Sequence, residues 1–245
     1  MPPSQLTITP RLSCDDLVTW AHRGPGDRLV VCFSGIGKDA ETCPPYEFAR
    51  SATGNGRHNT LFIADPQRSW LNTPGLLSRI GAEIESYRAI CGATRVIAMG
   101  HSMGGFSAIV ASSVTRIDAV LAFAPQISIH PDIVPDETRW AAYRNRISHY
   151  EVKSAADHFR DGTDYTIIHG RHGREAPQRD RFPRRDTLRH YVMPGTHHNV
   201  PQRLKQLNCL EQVVHFAIEG RPRKLRLLLK QTAQAYLRPE EGQPV

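Results

Sequence analysis

Residues 95–109 read RVIAMGHSMGGFSAI, and no other stretch restricts the folding of this chain so tightly. The β-branched pair Val96-Ile97 belongs to a strand-like run, and a helix-forming segment begins directly after Gly100-His101-Ser102-Met103-Gly104. A strand that becomes a helix within so few residues passes through a sharp bend, whose apex takes a strained backbone conformation. The positions two before and two after the apex then lie too close together to carry a Cβ, hence Gly100 and Gly104. This is the G-x-S-x-G nucleophile elbow. It lifts the Ser102 hydroxyl clear of the sheet and aims the N–H groups of the helix starting at Met103 at any negative charge developing there.

The rest of the chain alternates strand and helix signals around this element. Residues 28–33 (RLVVCF) form a continuous apolar run, as a strand buried on both faces should. Strands are also expected at 61–64, 119–124, 165–169 and 188–193, with shorter ones at 6–9 and 16–21. Between 75 and 91, Leu76, Leu77, Ile80, Ile84, Tyr87 and Ile90 recur at the spacing of one buried helix face. A short helix is expected at 46–50 and a closing helix at 200–218. Such alternation predicts one α/β domain over 1–220, a mostly parallel central sheet with helices on both faces. Residues 126–162 break the pattern with Pro, Arg, Trp and Tyr and read as a small cap inserted after the strand that follows the elbow, or as a plain helical crossover.

Composition narrows the class. No apolar stretch approaches the ~20 residues of a membrane span. The N-terminal MPPSQLTITPRLS lacks a basic segment followed by an apolar one, so no secretion signal is expected. The five cysteines (Cys14, Cys32, Cys43, Cys91 and Cys209) are scattered without metal-site spacing, which suits reduced thiols in a cytoplasm and predicts neither metal nor cofactor. The net charge of +7 is concentrated in 171–189 and 221–230, without the interleaved aromatics of a single-strand binder, so no nucleic-acid partner is expected. The tail 221–245 is basic, with Leu225, Leu228, Leu229 and Tyr236 able to share one side of a helix. Docking of this tail on its own body is the expectation; pairing in a homo-oligomer and contact with anionic lipid are the alternatives.

A serine hydroxyl is a poor nucleophile near neutral pH and needs a base within hydrogen-bond reach, itself held by a carboxylate. The elbow at 100–105, the turn at 34–37 and the loop at 195–199 together resemble the α/β-hydrolase fold, the superfamily of serine esterases and lipases, over roughly 28–218. The segments GHSMGGFSA and AFAPQ are also similar to small bacterial members of unassigned substrate. The resemblance implies chain order nucleophile, acid, histidine. In VMPGTHHN (192–199) it places His198 on the base's position, with His197 the competitor. The acid should follow the strand ending near Gly170, where Glu175 and Asp180 are the candidates and Asp180 is preferred; Asp186 lies too near the next strand. By the same resemblance the oxyanion would be held by the N–H groups of Met103 and Ile36, with Gly35 in place of Ile36 as the fallback. The implied partner is a small-molecule ester or acyl substrate, cleaved through an acyl-enzyme on Ser102. Acyl transfer to a non-water acceptor and a non-catalytic binding role are the alternatives.

Overall fold

In the apolar runs of this chain, successive side chains enter different cores. The computed structural model describes residues 6–239. Among these residues the strands are β1 (Thr9–Ser13), β2 (Val18–His22), β3 (Arg28–Phe33), β4 (Asn59–Ala64), β5 (Arg95–His101), β6 (Ala119–Phe123), β7 (Asp164–Gly170), β8 (Leu188–Met193) and β9 (Tyr236–Leu237). Leu29, Val31 and Phe33 of β3 pack in one cluster with Val96 and Ala98 of β5. Val30 and Cys32 pack in the other with Ile97 and Met99. The period of two along a strand therefore feeds a core on each face of the sheet, which is why RLVVCF shows no polar side.

The strands form one sheet in the order β1-β2-β4-β3-β5-β6-β7-β8-β9. β4, β3, β5, β6, β7 and β8 run parallel; β2 is antiparallel to β1 and β4, and β9 to β8. The chain leaves β3 for β4 on one side and returns to β5 on the other, so the C-terminal ends of β3 and β5 flank the crevice where such sheets bind ligands. Phe33 pairs with Gly100 across that boundary, which sets the 34–37 turn beside the elbow.

The helices are α1 (Ala49–Ala52), α2 (Leu76–Cys91), α3 (Met103–Ala111), α4 (Ala141–Arg144), α5 (Ala176–Arg179), α6 (Val200–Gln206), α7 (Leu210–Ile218) and α8 (Pro222–Ala233). α2 lies between two glycines in the left-handed region, Gly75 and Gly92. It buries Leu76, Ile80, Ile84, Tyr87 and Cys91. Ile90, expected on that face, is instead 58% exposed, and Cys91 takes its place. α2 and α3 supply one core, and α6, α7 and α8 supply the other.

Several boundaries differ from expectation. The first strand lies at Thr9–Ser13 rather than 6–9; it is an exposed edge strand whose burial carries no alternation for a sequence pattern to reveal. The short helix falls at Ala49–Ala52, after Phe48 in the left-handed region. The closing helix is two helices, α6 and α7, broken where Asn208 adopts φ 52°. In the tail, Leu225, Leu229 and Ala233 of α8 are buried in the core and β9 adds a strand beside β8. The expected tail's residues 240–245, and 1–5 of the N-terminal segment, lie outside the described residues. Part of the basic stretch 171–189 is tied down: Arg185 pairs with Asp161, Arg189 with Asp164, and Arg184 donates to the Arg238 carbonyl.

Candidate active site

Ser102 sits between β5 and α3 at φ 58°, ψ −122°, a backbone strain that persists only where the surroundings over-determine it. The two glycines supply that constraint. A Cβ on Gly100 would lie 2.3 Å from the Gly104 carbonyl carbon, and one on Gly104 would lie 2.2 Å from the Phe33 carbonyl oxygen. The Ser102 N–H donates to the Phe123 carbonyl at 2.9 Å, pinning the bend to β6.

His198 reaches the bend from the loop after β8. A Cβ on Gly170 would lie 2.2 Å from the Thr196 carbonyl oxygen, so that loop can cross the end of β7 only at a glycine. Asn199 caps α6 by accepting the Gln202 N–H, and the His198 carbonyl accepts from the Val200 N–H at 2.8 Å and from His101 Nε2 at 3.1 Å. Because a carbonyl only accepts, His101 carries its proton on Nε2. Burial, reinforced by the neighbouring His198, lowers the His101 pKa to about 4, so this ring is neutral near pH 7. With its backbone fixed, the His198 Nε2 lies 2.9 Å from Ser102 Oγ. His197, the competitor, is exposed and stacks on His172 with ring centroids 4.0 Å apart.

The carboxylate facing His198 belongs to Glu175. After β7 the chain makes a tight turn in which the Glu175 N–H donates to the His172 carbonyl, and the Glu175 side chain points inward, 2% exposed. Its Oε2 lies 2.9 Å from His198 Nδ1. Asp180, the preferred candidate from the sequence, is not at this position. It ends α5 half exposed, held by Arg179, whose Nε and Nη2 donate to its two oxygens at 2.7 and 2.9 Å. The same guanidinium donates to the Gly170 and Arg171 carbonyls, so Arg179 fastens Asp180 to the strand end and away from the imidazole.

The second oxygen of Glu175 is bound from the 126–162 segment, where Arg139 Nη1 approaches Oε1 at 2.5 Å. Arg139 in turn donates through Nε and Nη2 to buried Glu137. Desolvation pushes the Glu175 pKa up, but the His198 hydrogen bond and the charges of His198 and Arg139 outweigh it, leaving the carboxyl at about 2. Trp140 from the same segment lies 5.5 Å from the His198 ring, centroid to centroid. Gln126, at the start of that segment, donates to Ser102 Oγ at 2.8 Å. Arg139, Trp140 and Gln126 escaped the sequence reading because the periodicity of 126–162 is weak and confined to 140–150, too little to say which side chains face inward.

Of the three N–H groups considered for an oxyanion, that of Gly35 is already engaged, donating to Glu47 Oε2 at 3.3 Å. Ile36 N–H makes no hydrogen bond among the described residues, while its carbonyl accepts from Arg68 Nε at 3.1 Å. Met103 is the first residue of α3, so helix geometry leaves its N–H without an intrahelical acceptor. Buried Arg68 also donates to the Pro66, Asp39 and Thr42 carbonyls and so holds the whole 36–42 loop in place. Among the described residues no group of three or more His, Cys, Asp or Glu side chains is placed to hold a metal ion.

Burial raises the Glu47 pKa to about 7, with the Gly35 N–H opposing the shift. A carboxyl raised in the folded state stabilises the fold at acid pH, and that contribution is lost as pH rises from its unfolded value through about 7. Glu47→Gln keeps an acceptor for Gly35 and removes the charge. It is expected to match wild-type stability near pH 4 and exceed it at pH 8 by up to about 3 kcal/mol, read from urea melts at the two pH values.

No protein-family model matches the sequence, and no curated protein matches it. Solved structures do. Thermogutta terrifontis esterase 2, in a structure phosphonylated by sarin, is 14% identical with a TM-score of 0.62 over 90% of this chain and 96% of that one. Est1E from Butyrivibrio proteoclasticus is 17% identical with a TM-score of 0.54 over 91% and 100%. The capsule O-acetyltransferase of Neisseria meningitidis serogroup A is 12% identical with a TM-score of 0.56 over 89% and 93%. Together with the parallel sheet, the elbow between β5 and α3 and the histidine loop after β8, these likenesses establish that the chain has the α/β-hydrolase fold.

Proposed function

We propose that this protein is a serine hydrolase that cleaves a carboxylic ester or thioester through an acyl-enzyme on Ser102. The observation that carries the reading is the unbroken hydrogen-bond chain from Ser102 Oγ to His198 Nε2 and from His198 Nδ1 to Glu175, both at 2.9 Å. In the proposed cycle His198 takes the Ser102 proton as Oγ attacks the acyl carbon, then gives it to the leaving alcohol or thiol. Water repeats the sequence on the acyl-enzyme. Glu175 keeps the imidazole in the tautomer that presents a free Nε2, and its negative charge stabilises the imidazolium. The Ile36 and Met103 N–H groups are the proposed oxyanion donors; the Glu47 contact of Gly35 argues against that fallback. Segment 126–162 acts as the cap, and the five free cysteines fit a reducing, cytoplasmic setting.

A second reading, acyl transfer to an acceptor hydroxyl, draws support from one observation. Ser102 is only 3% exposed, which limits competing water. The similarity to a capsule O-acetyltransferase agrees with it.

Rapid mixing with p-nitrophenyl esters of graded chain length tests both. The expected result is a burst of nitrophenol equal to the enzyme concentration, followed by slower turnover. If added alcohol or sugar accelerates the slow phase, transfer is the reaction; if it does not, hydrolysis is. No turnover of any ester by folded protein would contradict the acyl-enzyme.

A further inference from the structure

Ser102 Oγ has a second partner that a nucleophile–base–acid chain does not require. β6 ends at Phe123, and the following Ala-Pro-Gln brings Gln126 beneath the elbow, fully buried. A side-chain amide can present either its oxygen or its nitrogen to a neighbour, and here the neighbours decide which. Gln126 Oε1 faces the Trp70 indole N–H at 3.2 Å. An indole nitrogen only donates, so the oxygen must lie toward Trp70 and the NH₂ group toward Ser102. The opposite orientation would set two donors against each other in a buried place. Ser102 Oγ therefore donates to His198 Nε2 and accepts from Gln126 Nε2 at 2.8 Å.

The donor is held rigidly. Trp70 is fully buried, with Trp140 and Tyr143 of the cap 6.3 and 6.1 Å from its ring. Asn72 fixes the backbone around it by donating to the Ser69 and Trp70 carbonyls and accepting the Val152 N–H. The cap and the 67–74 loop thus meet on the residue that orients Gln126.

We propose that Gln126 is a further catalytic residue, whose amide N–H stabilises negative charge on Ser102 Oγ both when that oxygen attacks and when it leaves; this rests on the acyl-enzyme reading above. In acylation the Oγ–H bond breaks, its proton passes to His198 Nε2, and the Oγ–carbon bond forms. The leaving group departs with that proton. In deacylation water gives its proton to His198 and bonds to the acyl carbon; the Oγ–carbon bond then breaks and Oγ takes the proton back. Gln126 keeps its own protons throughout. Its hydrogen bond is weak to an ester oxygen, moderate to a neutral hydroxyl and strongest to an oxygen carrying charge. The interaction is therefore stronger in both transition states than in the states they connect, which is the condition for acceleration.

The test is the rate of Ser102 labelling by an alkyl fluorophosphonate as a function of pH, in wild type, Gln126→Glu and Gln126→Met, with thermal melts run alongside. Wild-type labelling should rise with pH and then level off. In Gln126→Glu the shape is conserved and Trp70 keeps its acceptor. Once the introduced carboxyl ionises, however, it has no proton to donate and places a charge against Oγ. Labelling should then fall on the alkaline side by tenfold or more, turning the plateau into a bell. Gln126→Met, uncharged and of similar length, guards against a variant that does not fold; in its folded state labelling should be about tenfold slower. A retained plateau in Gln126→Glu, or a folded Gln126→Met labelled within about twofold of wild type, overturns the assignment. Failure of wild type itself to label would instead reject the acyl-enzyme and with it this role.

Discussion

Glu175→Gln is expected to lower kcat by about 10³–10⁴-fold, while Asp180→Asn leaves it close to wild type. The amide has nearly the shape of the carboxylate but lacks its charge and can turn its NH₂ toward His198 Nδ1. An imidazole that accepts at Nδ1 carries its proton on Nε2 and cannot take one from Ser102. Asp180 is half exposed and bound by Arg179, outside the hydrogen-bond chain from Ser102 to Glu175. Steady-state ester hydrolysis by the two variants decides between the carboxylates. The same substitution should alter acid stability. A carboxyl lowered in the folded state contributes stability above its unfolded pKa, near the ordinary 4.5, and loses it as pH falls toward about 2. Wild type should therefore lose part of its stability across that window, and Glu175→Gln should show a flatter curve there, as measured by denaturant melts between pH 5 and pH 3.

Gly104→Ala should destabilise the fold by about 3 kcal/mol or more, lowering Tm by roughly 6–12 °C for a chain of this length. The added methyl falls 2.2 Å from the Phe33 carbonyl oxygen and 3.0 Å from the Ser34 carbonyl carbon, so backbone rather than a pliable side chain would have to move. That movement separates the elbow from the 34–37 turn, and activity should fall together with stability. Gly173→Ala is the control: nothing lies within 4 Å of its added carbon, and it should change stability by less than about 0.5 kcal/mol. Calorimetry on the pair checks both.

What could be read from the chain alone follows from where each constraint acts. Ser102 was legible because its bend forces two glycines at fixed spacing, and a local steric demand is written locally. The loop of the proposed base was legible because it must follow the last parallel strand; there His197 and His198 compete, and the likeness of VMPGTHHN to the family's histidine loop favours His198. The proposed acid was not fixed by such a rule. Glu175 and Asp180 stand five positions apart in one arginine-rich loop, and the difference between them is made by Arg179, which binds one, and by Arg139, which reaches the other from 36 residues away. Gln126 and Arg139 lie in a segment ordered by side-chain contacts rather than by periodic burial, so no pattern marks which of its residues turn inward. The docked tail follows the same division. Leu225 and Leu229 were visible as an apolar stripe on α8, whereas the two residues of β9 depend on backbone pairing with β8, which a sequence pattern does not record.

The central claim is that Ser102 is a nucleophile activated by His198, and its most direct test is covalent. Folded protein treated with an alkyl fluorophosphonate, digested and analysed by peptide mass spectrometry should carry one adduct, on the peptide containing Ser102. The adduct should be absent from Ser102→Ala and strongly reduced in His198→Ala. An adduct mapping to another residue, or none on folded wild-type protein, would contradict the account.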